Sequence, residues 1–279
     1  MSMVTLADVL QPALRHGYAV AGVVCLGWED MRAFVTAAEL ERAPIILQAG
    51  PACREHTPLP VLARMFRHLA ETASVPVVTH LDHAYSVEEC GQAIAEGFTS
   101  VMYDGSRKPL RENIEETASI VAMAHAAGIS CEGEIGFVGY AGGAVSAGTD
   151  PAEAALFARE TGIDAMAISI GNLHLQQSQD GKLDEERLQA IEAVTDVPLV
   201  IHGGSGVPIS QRKALAAGSR ICKLNIGTEL RMVFGAALRE AVNRDPSRFD
   251  RISILKETHA PVVAATRHVL RGLGSSGRA

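Results

Sequence analysis

The chain has no CxxC pair and no even, regularly spaced set of cysteines; Cys25, Cys53, Cys90, Cys131 and Cys222 are five and lie far apart. This excludes a zinc knuckle, a dithiol redox motif and a disulfide scaffold, and it suits a reducing compartment. Positive charge is not in excess either. Asp and Glu number 32 against 25 Lys and Arg, a net charge of -7, whereas a general binder of nucleic acid or of an anionic membrane needs a basic surface. No apolar run approaches the ~18 residues of a membrane span, and no secretion-signal pattern opens the chain. A cytoplasmic protein is expected. Internal repeats, low-complexity tracts and dividing linkers are also missing, so residues 1–279 read as one domain.

What is present is apolar material, 47% of residues against 20% charged, enough for a large core. Short β-rich runs alternate with helical stretches, the pattern of parallel βα units. Eight runs qualify: Tyr18–Leu26, Pro44–Ala49, Pro76–Leu81, Ser100–Tyr103, Ile129–Ile135, Ala165–Ile170, Pro198–Ile201 and Ile221–Ile226. Several are continuously apolar, as strands covered on both faces should be. That count and the chain length predict a (β/α)8 TIM barrel. A helix over Leu6–Arg15 should close its bottom, and Glu229–Asn243 and Ala260–Leu273 should form a C-terminal helical extension outside it. Only the last few residues read as loose. The Gly- and Ala-rich stretch Gly139–Pro151 lacks apolar periodicity and reads as a mobile loop over the barrel mouth.

Active sites of such barrels are built at the C-terminal strand ends. Here those ends are His80-Leu-Asp82-His83, Glu132-Gly-Glu134-Ile-Gly136, Ile170-Gly-Asn172-Leu-His174 and Ile201-His202-Gly-Gly-Ser205-Gly206. A lone strand-end histidine is usually a hydrogen-bonded structural residue. Three on one rim, His83, His174 and His202, instead supply the neutral imidazoles of a catalytic divalent ion, usually zinc, with a coordination position left open. Glu132 and Glu134 share one side of their strand. Glu134, nearer the end, is the candidate for the same site; Glu132 is expected to pair with Lys or Arg inside the barrel. After strands seven and eight, His202–Gly206 and Asn225-Ile-Gly-Thr228 lie where these barrels place a phosphate. Gly203, Gly204 and Gly227 allow backbone N–H groups to approach it, while Ser205 and Thr228 add hydroxyls.

In this order the motifs resemble those of the class II fructose-bisphosphate and tagatose-bisphosphate aldolases, nearly end to end. Tyr18-Ala-Val20, Asp104-Gly-Ser106, Asn225-Ile-Gly-Thr-Glu229 and the final Gly277-Arg-Ala279 belong to the same likeness. The resemblance implies zinc on His83, His174 and His202, with Glu134 serving an alternative metal position and Asp82 as acid/base at the sugar C4 hydroxyl. Gly203, Ser205, Asn225 and Thr228 would hold the phosphate of dihydroxyacetone phosphate. It allows another divalent metal in place of zinc and a monovalent cation near the phosphate, and it implies a homodimer or homotetramer. Arg278 would then be within reach of a neighbour's site.

The departures concentrate on the aldehyde half. Val24 stands where the family has asparagine, Gln48-Ala-Gly50-Pro51 lacks a hydroxyl, Tyr85 replaces a common lysine, and Leu175 replaces the glycine after the second metal histidine. The Gly139–Asp150 loop lacks the acids that help move the C3 proton, leaving Tyr140, a water or a substrate group for that task. The leading expectation is an aldolase for a ketose phosphate other than a 1,6-bisphosphate. Two alternatives stand beside it: another metal-assisted enolate reaction, epimerisation or decarboxylation, and an inactive sugar-phosphate-binding protein. Retention of Asp82 speaks against the last.

Overall fold

The computed structural model describes residues 2–279. Its first half runs α1 (Leu6–His16), β1 (Val20–Val24), α2 (Trp28–Glu41), β2 (Ile45–Ala49), α3 (Pro51–His56), α4 (Leu59–Thr72), β3 (Val77–Ala84), α5 (Val87–Glu96), β4 (Ser100–Tyr103) and α6 (Leu110–Ala126). There follow β5 (Ser130–Ile135), α7 (Pro151–Thr161), β6 (Ala165–Ile168), α8 (Glu185–Glu192), β7 (Leu199–Ile201), α9 (Ile209–Gly218), β8 (Ile221–Ile226), α10 (Thr228–Arg244) and α11 (Arg251–Gly272). The strands pair in parallel and in chain order, and β1 pairs β8 to close the barrel. This is the expected (β/α)8 barrel.

Alternation along the strands separates two cores. Ala21, Val23, Leu47, Leu81 and Val101 face outward into the layer between strands and helices. Val20, Ile46, Val78, Met102 and Val200 face inward and pack on Leu6, Val9 and Leu10 of α1, which plugs the barrel bottom. Thr5 and Asp8 form a capping box at the start of α1, and Gly17 at φ 63 ends the helix.

Element ends differ from the sequence reading in informative places. β1 is shorter at both ends, whereas β3 continues past Leu81 to Ala84. The final helix starts at Arg251 rather than Ala260; Asp250 caps it, and the helix runs through Pro261, which from sequence marks a beginning. The expectation of loose terminal residues is corrected. Gly277 N–H donates to the Glu41 carbonyl at 2.8 Å and Ala279 N–H to the Arg42 carbonyl at 2.9 Å, and Ser275 is buried. Arg278 lies 5.3 Å over the Tyr18 ring, at the barrel bottom, and so away from this chain's own strand C-termini.

Glu41 is the node of this clamp. It accepts from Arg267 Nε at 2.7 Å, from Arg271 Nη2 at 2.7 Å and from Ser276 Oγ at 2.9 Å. Arg271 foremost, with Arg267 and Ser276, overcomes burial and holds the Glu41 carboxyl down to about 2. Because the folded value lies below the unfolded one, the contribution is complete above pH ~4.5 and is lost as pH falls towards 2. Glu41→Gln is therefore expected to cost about 1–2 kcal/mol at pH 7, a range discounted for the partly exposed arginines. Urea midpoints of the two proteins should converge as pH is lowered through that window. A gap that stays constant to pH 2.5 would show that the carboxylate charge is not what matters.

Candidate active site

Strict alternation would send Asp82 and His83 to opposite faces of β3. A register shift between Leu81 and Ala84, with His83 at φ 50, breaks the period and lets both side chains serve the barrel mouth. Such a left-handed non-glycine residue carries strain of about 1–3 kcal/mol, and strain of this kind collects at functional sites. Leu175 is also left-handed, at φ 58. That conformation explains why a glycine suits the position after His174, and the leucine adopts it regardless.

His83, His174 and His202 offer nitrogen atoms that all lie within 4.8 Å of one another. Asp104 Oδ2 is 2.8 Å from His83 Nδ1, fixing its ring, and His83, Asp104 and Glu134 form a second converging donor group. In the sequence Asp104 stands out only as part of the Asp104-Gly-Ser106 motif. Its place just after β4 is the signal that singled out the other site residues and also applies to it. His202 Nδ1 and Glu134 Oε2 are 3.3 Å apart, both buried and both without a hydrogen-bond partner. Burial pushes His202 down, but Glu132 and Glu134 outweigh it and raise the ring to about 10. Burial and the neighbouring His83 and His202 instead push His174 down to about 3. The buried, unpartnered His202 Nδ1 and Glu134 Oε2, next to the converging His83 and His174 nitrogens, fit a divalent cation.

Glu132 pairs with Lys223 Nζ at 2.6 Å inside the barrel, as the sequence reading anticipated, and accepts from His202 Nε2 at 3.1 Å. Burial works against its ionisation, yet Lys223 and His202 hold Glu132 far below the usual carboxylate range. The chain Lys223–Glu132–His202 thus orients the ring so that Nδ1 faces Glu134 and the other histidines.

Asp82 Oδ1 accepts from Gln48 Nε2 at 2.8 Å and from Asn225 Nδ2 at 3.3 Å. Burial alone would favour the protonated acid, but His83, His202 and Lys223 prevail and keep Asp82 below its ordinary value. Asn225, which the resemblance places at the ketone phosphate, lines the cavity and reaches Asp82 through its amide. Room for Gln48 and Asn225 comes from Gly22, where a Cβ would stand 2.0 Å from Gln48 Oε1 and 2.8 Å from Asn225 Oδ1.

Ser205 Oγ accepts from the N–H groups of Gly227 at 3.2 Å and Glu229 at 3.3 Å, so the β7 loop closes onto the start of α10. Gly203, at φ 65, leaves a Cβ no space against the Leu173 carbonyl, 2.0 Å away. Gly204 opens the short turn Gly204–Gly206. With Thr228 at the first position of α10, these residues gather glycine backbone and two hydroxyls at a helix N-terminus, an end that favours an anion. A cavity of about 310 Å³ joins the parts: Asp82, His83, His174, Gly203, Ser205, Asn225, Gly227 and Thr228 line it, with Val24, Gly50, Tyr85, Tyr140 and Arg231. Tyr140 stacks on His174 at 4.9 Å, and Ala141 N–H donates to the His174 carbonyl at 2.9 Å, tying the Gly139–Pro151 loop to the site.

Fold and donor set together define a barrel enzyme with a place for a divalent cation. Residues 4–278 match the family described as fructose-bisphosphate aldolase class-II. The chain is 37% identical to a fructose-bisphosphate aldolase of Geobacillus stearothermophilus, covering 100% of this chain and 99% of that protein. It is 35% identical to a 6-phospho-5-dehydro-2-deoxy-D-gluconate aldolase of Bacillus licheniformis, over 100% and 97%. The crystal structure of the YdjI aldolase from Escherichia coli superposes with a TM-score of 0.88 at 30% identity, covering 99% of each chain. The chain belongs to the class II fructose-bisphosphate aldolase family, the metal-dependent aldolases. It is a lyase that cleaves a carbon–carbon bond by aldol chemistry.

Proposed function

We propose that the chain, acting as one domain, reversibly cleaves a ketose phosphate to dihydroxyacetone phosphate and an aldehyde, with the roles at the barrel mouth divided as follows. His83, His174 and His202 hold zinc, and Glu134 serves a second metal position with Asp104. A bound zinc ion supplies Lewis-acid polarisation of the ketone. Asp82 takes the C4 hydroxyl proton as the C3–C4 bond breaks and the electron pair moves towards the ketone oxygen, and it returns the proton in the aldol direction. Gln48 and Asn225 hold the Asp82 carboxylate in position for this. Gly203, Gly204, Ser205, Asn225, Gly227 and Thr228 hold the ketone phosphate. The observation that carries this reading is the buried Asp82, held by Gln48 and Asn225, in one cavity with His83, His174 and the Ser205–Thr228 segment. A cytoplasmic homodimer or homotetramer acting on a small sugar phosphate is the corresponding cellular form.

Ser205→Ala is expected to raise KM for dihydroxyacetone phosphate roughly tenfold or more, the loss of a charge-assisted hydrogen bond. Metal content should not change. Because Ser205 also caps the start of α10, a loss of about 1 kcal/mol in stability should accompany it. An unchanged KM with lowered stability would assign Ser205 to capping alone.

The substrate is not expected to be a 1,6-bisphosphate. Around Val24 the cavity presents Leu26, Gly50 and Cys53, with Arg231 as the one cationic side chain of its lining among the described residues, too few donors for a phosphate dianion. Fructose 1,6-bisphosphate and tagatose 1,6-bisphosphate should fall at least ~100-fold below the best substrate in kcat/KM, since desolvating an underpaired dianion readily exceeds the energy of that ratio. Steady-state kinetics of both bisphosphates, beside condensation of dihydroxyacetone phosphate with a panel of aldehydes, is the test of the function itself. Efficient cleavage of either bisphosphate would overturn the substrate assignment, and no condensation with any aldehyde would overturn the aldol reading.

A further inference from the structure

Arg231 belongs to none of the strand-end motifs, yet it lines the same cavity as Asp82 and the Ser205–Thr228 cradle. Its Nε is buried with no hydrogen-bond partner. Unlike Arg212, which pairs with Glu229 at 2.8 Å, it forms no ion pair among the described residues. It also stands early in α10, where the positive end of the helix dipole disfavours a cation. An underpaired guanidinium held against that dipole calls for an anion. Its position says which one. Arg231 Nη2 lies 3.3 Å from where a Cβ of Gly227 would be, and Val24 Cγ2 lies 3.0 Å from the same point. The guanidinium therefore sits beside Val24, on the aldehyde half, with Leu26 and Cys53 in the same lining and with Asp30 and Asp82 close enough to act on its charge without pairing with it.

We propose that Arg231 selects an aldehyde bearing a carboxylate, and that this chain is an aldolase for carboxylated rather than phosphorylated aldehydes. The proposal rests on the aldolase reading above. A planar guanidinium matches a carboxylate with two parallel N–H bonds. A phosphate dianion needs further donors of the kind gathered at the Ser205–Thr228 cradle, and Val24, Leu26 and Cys53 supply none. Burial works to lower the Arg231 pKa while Asp30 and Asp82 oppose it, so a carboxylate arriving here would relieve an existing electrostatic cost.

The test uses the full-length, metal-loaded enzyme in the aldol direction with dihydroxyacetone phosphate and three aldehydes: glycolaldehyde, succinic semialdehyde and glyceraldehyde 3-phosphate. The wild type should prefer the carboxylated aldehyde. In R231Q the kcat/KM ratio of succinic semialdehyde to glycolaldehyde should fall roughly 100-fold, as for a site losing a bidentate charged contact. R231K, which keeps the charge without the fork, should fall between the two, and KM for dihydroxyacetone phosphate should not follow the trend. Three results would overturn the proposal. A uniform loss on all aldehydes with a raised KM for dihydroxyacetone phosphate would assign Arg231 to the ketone phosphate. A loss confined to glyceraldehyde 3-phosphate would make the ligand a phosphate. A ratio that falls in R107Q but not in R231Q would move the selectivity to Arg107, whose guanidinium packs 4.5 Å over Phe137 beside the neighbouring pocket. Absence of condensation with every aldehyde in the wild type would instead sink the aldolase reading itself.

Discussion

Replacing His83, His174 or His202 singly by alanine is expected to abolish metal binding and reduce aldol turnover to background, but with unequal effects on stability. Each imidazole supplies one of three nitrogens within 4.8 Å of one another, and a methyl group cannot replace it. Elemental analysis of the purified variants checks the first part. The second part follows from what each ring holds besides a metal. His202 accompanies two buried carboxylates, Glu132 at 3.1 Å and Glu134 at 3.3 Å. Removing it takes one hydrogen-bond donor from Glu132, which keeps Lys223, and leaves Glu134 buried without its cationic neighbour, at a cost of about 3 kcal/mol. His174 touches no carboxylate and stacks on Tyr140, so His174→Ala should cost markedly less. Denaturation after treatment with chelator separates these contributions from metal binding. Full metal occupancy in any of the three variants would remove that residue from the ligand set, and equal apo stabilities would refute the account of Glu132 and Glu134.

Asp82→Asn should keep fold and metal and lower kcat by at least about 100-fold, the usual effect of losing a positioned acid/base. Asparagine is nearly isosteric and can still accept from Gln48 Nε2, now at 2.8 Å, through its amide oxygen. It cannot take a proton. The change should appear in kcat and kcat/KM together, since the proton transfer belongs to the transition state rather than to substrate binding. Retention of most of the turnover would show that Asp82 only orients its neighbours and that another group, such as Tyr140, is the base. A fall in metal content would point to a role in holding His83.

The barrel was legible because its signal is repetitive: eight apolar runs separated by helical stretches leave few other architectures. The strand-end rule then located the histidines, Asp82 and the two glutamates without any knowledge of their contacts. Glu132 could be assigned to an internal pair because a carboxylate deeper in a barrel must find a cation, and Lys223 is that cation. The helix start at Arg251 and the anchored C-terminus were not legible. Each depends on partners distant in sequence, Glu41 above all, and no local pattern in Ser275–Ala279 announces them. Arg231 was passed over for a related reason. On a helical segment an arginine normally reads as a solvated face, and only the enclosing Val24 and Gly227 turn it inward.

By itself, then, the sequence determined the repeat, the identity of the donor atoms and the strand ends that carry them, because periodicity and residue chemistry are local properties. Only the tertiary structure decided how those atoms meet. The break in β3 at His83, the turn of Asn225 towards Asp82, the Lys223–Glu132–His202 chain and the inward Arg231 arise when barrel closure brings remote strands and loops within hydrogen-bond and packing distance. Such distances are set by the shear and curvature of the closed sheet, which no window of neighbouring residues encodes.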